Sequence, residues 1–282
     1  MRLDGRRTSG NVDDRRRVGK TTAGLGIGGL VVAGIITLLM GGNPLDLLTS
    51  QLANVPQTGS YVPSAEEDAM AVFASQILAG TEDVWTEEFK KMGRSYSPPK
   101  MVLFTRATTS GCGNATSQTG PFYCPADQTV YIDLSFFDEM RDQLKAGGDF
   151  AYAYVIAHEV GHHVQYLLGI IDQVNQLQRK MTKVESNQLN VRLELQADFF
   201  AGIWAYHDNK MYNSLDSGDI EEGLNAAAAI GDDRLQMEAQ GYTVPDAFNH
   251  GTSAQRARWL KRGADTGVVA NGDTFSLNYA SL

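Results

Sequence analysis

The sequence predicts an α+β protein, mainly helical with a small β-sheet and preceded by one transmembrane helix. Three observations carry this. Several stretches repeat apolar positions at helical spacing between recognisable start and stop signals. Only two short runs, Lys100–Arg106 and Thr129–Asp133, have strand composition. Residues 23–40 carry no charge, and with Gly41 and Gly42 they are long enough to cross a hydrocarbon layer of ~30 Å.

In chain order, residues 1–22 are polar and basic and are expected to form a disordered cytoplasmic tail. Residues 23–42 form the span, and residues 43–63, with Pro44, Pro56, Gly59 and Pro63, a linker. No small-residue cleavage site follows the span, which favours an uncleaved anchor over a signal peptide. The folded domain is expected over 64–282. Ser64-Ala65-Glu66-Glu67 reads as a capping box opening a helix to about Ala79, with Gly80-Thr81 separating it from a second helix ending near Met92. After the first strand candidate, Thr129–Asp133 is the second. Helices are then expected over Ser135–Lys145 and Ala151–Leu168, the latter capped by Asp149 and stopped by Gly169. Further helices follow over Asp172–Val184, Asn187–Asn209, residues 219–239 and Ser253–Arg262, and then a polar tail from Gly263.

Charge is unevenly spread. The chain carries a net −9, but residues 1–22 hold seven Arg and Lys against three Asp, a net +4, leaving −13 for the rest. An acidic folded part argues against nucleic acid as its main partner. Arg6, Arg7, Arg15, Arg16, Arg17 and Lys20 precede the apolar stretch, and no Lys or Arg follows it until Lys90. The positive-inside rule then puts the tail in the cytoplasm and the domain outside, a single-pass protein of the cell membrane. An extracytoplasmic domain favours a disulfide between its only cysteines, Cys112 and Cys124, worth roughly 3 kcal/mol in the chain-entropy treatment.

The chemistry concentrates in Ala157-His158-Glu159-Val160-Gly161-His162-His163. Two histidines four residues apart share one face of a helix, so both imidazoles of His158 and His162 can close on one zinc ion. Glu159 is placed to act as general base on a water at that metal. Val155, Ile156, Val160, Val164, Leu167 and Leu168 would bury most of this helix, where unpaired polar groups are expensive. Catalytic zinc commonly takes three protein ligands. The best third ligand is Glu194, on an apolar-flanked helix with Asp198 four residues on; Asp198 is placed to accept the Nδ1–H of a ligand histidine. His163 lies about 100° around the helix from His162 and is expected to pack or to support a metal ligand from behind, and His207 is about 20 Å along its helix from Glu194. His250, just before the last helix, is a candidate for stabilising an oxyanion.

These residues also resemble a known group. His158-Glu159-Val160-Gly161-His162-His163-Val164-Gln165 with Glu194-Leu195-Gln196-Ala197-Asp198, Gly120–Pro125, Val130–Asp133 and His250–Arg256 resembles a bacterial family of neutral zinc metallopeptidases. The resemblance runs from about Ser64 to Gly263 and extends to the basic tail and single span. It implies a zincin-like fold, Zn2+ held by His158, His162 and Glu194, Glu159 as base, and a peptide or protein substrate to which the strand Thr129–Asp133 presents its edge. Two rival readings are a non-catalytic extracytoplasmic scaffold with structural zinc, which the intact Glu159 argues against, and a zinc amidase acting on cell-wall peptides.

Overall fold

The computed structural model describes residues 1–17 and 61–282. The expected span, residues 23–42, lies outside the described residues, as does nearly all of the expected linker; among the described residues no helix is long and apolar enough to cross a membrane. The architecture is α+β, mainly helical with a small sheet.

The first element corrects the expectation of a disordered tail. Residues 1–17 lie against the domain, and Val12–Asp14 form strand β1. Low hydrophobicity and high charge usually signal disorder, but here the charges meet fixed partners: Arg6 with Asp208, Arg7 with Glu82 and Asp83, and Arg16 with Asp68.

Helix α1 then runs unbroken over Ala65–Lys91, opened by the Ser64/Glu67 capping box. The expected break at Gly80-Thr81 does not occur. A side chain at Gly80 would meet Asp208 Oδ1 at 2.7 Å and Arg6 Nη2 at 2.8 Å, so this glycine makes room for an ion pair. Strand β2 (Lys100–Phe104) follows, then the hairpin β3 (Ala107–Ser110) and β4 (Gly113–Thr116), and strands β5 (Phe122–Cys124) and β6 (Thr129–Asp133). The helices that follow are α2 (Ser135–Asp142), α3 (Asp149–Leu167), α4 (Ile170–Gln178), α5 (Lys183–Tyr212), α6 (Asp219–Ala229), α7 (Asp232–Gln240) and α8 (Ser253–Thr266). The single helix expected over 219–239 is two, divided at Ile230 and Gly231.

The main sheet has the order β1-β2-β6-β5, with β1, β2 and β6 parallel and β5 antiparallel to β6. Strand β6 is therefore enclosed between β2 and β5, and the expectation that it offers a free edge is wrong; β5 holds that edge. Alternation sets the faces. Met101, Leu103, Val130 and Ile132 enter the main core with helix α3, whereas Val102, Phe104, Cys124 and Tyr131 form a small cluster on the other side. Cys112 and Cys124 are disulfide-bonded, with Cα atoms 5.8 Å apart, tying the turn of the β3–β4 hairpin to the end of β5.

The helical layer is drawn together by missing side chains. At Gly161 a Cβ would stand 2.9 Å from the carbonyl oxygen of Ala197, so α3 and α5 approach backbone to backbone. The same device joins α5 to α8, where a Cβ on Gly263 would fall 2.1 Å from the Phe199 carbonyl oxygen. Burial of Trp85, Trp204 and Trp259 fills the space around these contacts.

Candidate metal centre

Helix α3 starts after Gly148 at φ 144°. The expected cap, Asp149, stands inside the helix instead; Glu222 of α6 accepts from the Phe150 N–H and satisfies the first turn. From that anchored start the helix carries His158 and His162 one turn apart on the face turned to α5, with ring centroids 4.8 Å apart and planes at 88°. Helix α5 opens on a Thr182/Glu185 capping box and brings Glu194 to both rings. Its Oε2 lies 3.2 Å from His158 Nε2 and its Oε1 3.5 Å from His162 Nε2. The close contact at Gly161 makes this reach possible.

His158, His162 and Glu194 each offer one donor atom, all within 4.8 Å of one another. Tetrahedral zinc with bonds of about 2.0–2.2 Å requires neighbouring donors roughly 3.3 Å apart. Each ring comes close to that distance from one of the two Glu194 oxygens, and two imidazoles with a carboxylate are a donor set that suits zinc.

The outer nitrogens are committed elsewhere, which leaves each Nε2 for a metal. His158 Nδ1–H donates to Asp198 Oδ1 at 2.8 Å. His162 Nδ1–H donates to Gln165 Oε1 at 2.8 Å, and the Gln165 amide donates to the Leu193 carbonyl of α5. Asp198 is fully buried and accepts four bonds. Besides His158, Tyr154 OH donates to Oδ1 at 2.6 Å, and Arg256 of α8 donates from Nε to Oδ2 at 2.9 Å and from Nη2 to Oδ1 at 3.0 Å.

Protonation follows this charge balance. Burial works against a charged His158, but the Asp198 carboxylate and the hydrogen bonds to Asp198 and Glu194 overcome it and lift the pKa to about 10. Burial likewise opposes charge on His162, and Glu194 raises it. Glu194 is held well below the usual carboxylate range: burial pushes up, and the two histidines more than reverse it. Asp198 falls to about 2 against its own burial, through Arg256 and His158. Without a metal the anionic cradle takes up protons in its place, as a cation site must.

Glu159 is 8% exposed and lies near enough to His162 for its charge to favour protonation there. His250 is held by Asp232, near enough to Glu194 for that charge to be felt. Its half-exposed side chain donates from Nδ1 to Asp232 Oδ1 at 3.1 Å, while Asp232 Oδ2 accepts the N–H groups of Asn249, His250 and Gly251. Desolvation disfavours the imidazolium, and Asp232 together with Glu194 outweighs it, raising the His250 pKa.

The remaining histidines stay out, as their helix positions require. His163 accepts from Tyr123 OH at Nδ1 (2.9 Å) and donates from Nε2 to the Ser97 carbonyl (2.7 Å), pinning β5 to α3; burial depresses its pKa to about 4. His207 bonds the Gly267 carbonyl. Sequence reasoning assigned no role to Tyr154, Gln165, Asp232 or Arg256. Two of these had a visible signal: Tyr154 stands one turn before His158, and Gln165 three residues after His162.

Comparison with known proteins places the chain in a family. The chain is 52% identical over 286 residues to the Escherichia coli (strain K12) protein named "Uncharacterized protein YpfJ", covering 98% of this chain and 99% of that one. It is 42% identical over 198 residues to "Uncharacterized protein Rv2575" of Mycobacterium tuberculosis (strain ATCC 25618 / H37Rv), covering 67% of this chain and 66% of that one. No solved structure matches. Over residues 1–275 the sequence matches the family described as "Putative neutral zinc metallopeptidase", and to that family the chain belongs.

Proposed function

We propose that the protein is a zinc-dependent metallopeptidase of zincin-like design that hydrolyses peptide bonds at the centre formed by His158, His162 and Glu194. The observation that carries this is the three-donor cradle at zinc spacing with a glutamate one residue after its first histidine. Structural zinc sites close with four protein ligands, whereas catalytic ones use three. Among the described residues the cradle contains three.

A zinc ion held there would supply Lewis-acid polarisation of the scissile carbonyl and a water acidified towards neutral pH. Glu159 takes the proton from the attacking water and delivers it to the leaving amine, a role worth about 10²–10⁴-fold in rate. His250, oriented by Asp232, offers its other ring nitrogen to the developing oxyanion. Strand β5, the free edge of the sheet beside α3, suits an extended peptide better than β6 does. The apolar stretch at residues 23–42 attaches the chain to the cell membrane.

The test compares wild type with Glu159→Gln, measuring zinc by elemental analysis and cleavage of a mixed peptide library. The expected result is one zinc per chain in both proteins, with hydrolysis lost in the variant. Full-rate cleavage by Glu159→Gln would overturn the assignment of the base.

A further inference from the structure

Residues 1–17 run along α1 and α5 as an integral part of the domain. Strand β1 adds to β2 in parallel register, Val12 opposite Met101 and Asp14 opposite Leu103, and the ladder continues where Arg15 N–H donates to the Leu103 carbonyl. The Arg6 guanidinium forks onto Asp208 at 2.7 and 3.2 Å and lies 3.8 Å over the Tyr212 ring. Ser9 is buried and donates to Glu82 Oε1, which Asn11 also reaches. Asp208 is 1% exposed and Glu82 7%. The segment therefore both covers these two acids and supplies their partners, so that docked they are paired, as buried carboxylates must be.

This docking conflicts with a single membrane crossing between Arg17 and Tyr61. One crossing would put the two docked parts on opposite sides of ~30 Å of hydrocarbon. Two crossings would need about 40 apolar residues; the long apolar stretch there is residues 23–40, and residues 46–60 after it are broken by Asp46, Pro56 and many Ser, Thr, Gln and Asn. The charge rule that pointed to opposite sides also loses its ground. Of the basic residues preceding the stretch, Arg6, Arg7, Arg16 and Arg17 are paired with acids of the domain, and Arg15 with Asp13. Their charge is neutralised within the fold and does not remain free to hold a tail in the cytoplasm.

We infer that residues 1–17 and the domain from Tyr61 onward lie on the same face of the membrane, the amino-terminal segment serving as the outer strand and an ion-paired strap of the metallopeptidase domain. The inference holds whichever copy of the chain supplies the segment, because docking in trans also requires a shared face. The Cys112–Cys124 disulfide favours the oxidising side as that face. None of this depends on the proposed hydrolytic activity.

The test labels full-length protein in intact cells with a membrane-impermeant maleimide. Two variants are used, Thr8→Cys in the segment and Gln173→Cys on α4, both at exposed positions. Labelling is read at each site by peptide mass spectrometry, with permeabilised cells as the reference for full modification. The two sites are expected to behave alike, both labelled in intact cells or both only after permeabilisation. Labelling of one site alone in intact cells would overturn the inference. A second measurement reads docking itself in the purified full chain. Arg6→Ala and Asp208→Asn should each lower Tm, and the double variant should fall by clearly less than their sum; additive losses would mean that the segment does not dock.

Discussion

Arg256→Met is the most informative perturbation of the centre, because it leaves every proposed metal ligand in place. Methionine keeps the length and much of the apolar stem but removes the fork that holds Asp198. Among the described residues, Oδ2 of Asp198 has Arg256 Nε as its hydrogen-bond partner, while Oδ1 keeps Tyr154 and His158. A carboxylate that is 0% exposed is thus left with one oxygen bare and the guanidinium charge gone, with His158 as its remaining positive partner. Breaking one side of a buried ion pair costs about 3–5 kcal/mol. For a chain of this size each kcal/mol moves Tm by roughly 2–4 °C, so metal-free Arg256→Met should melt on the order of 10 °C below wild type. Zinc affinity should fall about 10–100-fold, because Asp198 is the partner that orients His158. Arg256→Lys restores charge without the two-pronged geometry and should lie between the two. Melting is followed by circular dichroism and zinc affinity by competition with a chromophoric chelator. An Arg256→Met protein that melts and binds zinc like wild type would refute the reasoning.

Glu194→Ala should lose zinc from stoichiometric levels to a trace by elemental analysis, since two imidazoles alone remain; wild-type binding would place the third ligand elsewhere. His163 gives a pH signature. Its folded pKa of about 4 lies below its ordinary 6.5, so the unfolded chain takes the proton first, and stability is lost as pH falls from 6.5 towards 4. The full loss is about 3 kcal/mol. Urea titrations of metal-free wild type and His163→Gln should show a shallower acid slope in the variant, and parallel slopes would contradict a neutral buried His163. Gly263→Ala should destabilise by about 3 kcal/mol or more by thermal melting, because its Cβ would sit 2.1 Å from the Phe199 carbonyl oxygen and backbone must move. A Tm within a degree or two of wild type would mean that α5 and α8 are not that close.

The grouping of the cradle residues was legible because it has a short-range imprint in the sequence. His158, Glu159 and His162 lie within five residues, and Glu194 with Asp198 repeats the four-residue spacing of one helix face. Strand β6 was legible to the residue for a similar reason, an apolar β-branched run with clear ends. Contacts distant in sequence were not. Arg256 meets Asp198 across 58 residues, and nothing local distinguishes it from an exposed arginine of α8. Gly80 looked like a helix break because glycine is a poor helix former, and only the Arg6–Asp208 pair shows why it is there. The amino-terminal segment misled for the same reason: a run of arginines reads as solvated until distant acids such as Asp68, 51 residues from Arg17, and Asp208, 202 residues from Arg6, are in view.

Because α8 supplies Arg256, the order of synthesis constrains the centre. The two histidines leave the ribosome with α3, the carboxylate follows with α5, and the arginine that steadies Asp198 comes from a helix near the carboxyl end. Domains fold as the chain emerges, earlier parts first. The nascent protein therefore holds all three cradle residues before the helix that steadies Asp198 has packed against α5 through Gly202 and Gly263. A chain truncated before α8 would carry every proposed ligand yet lack the clamp that orients the first of them.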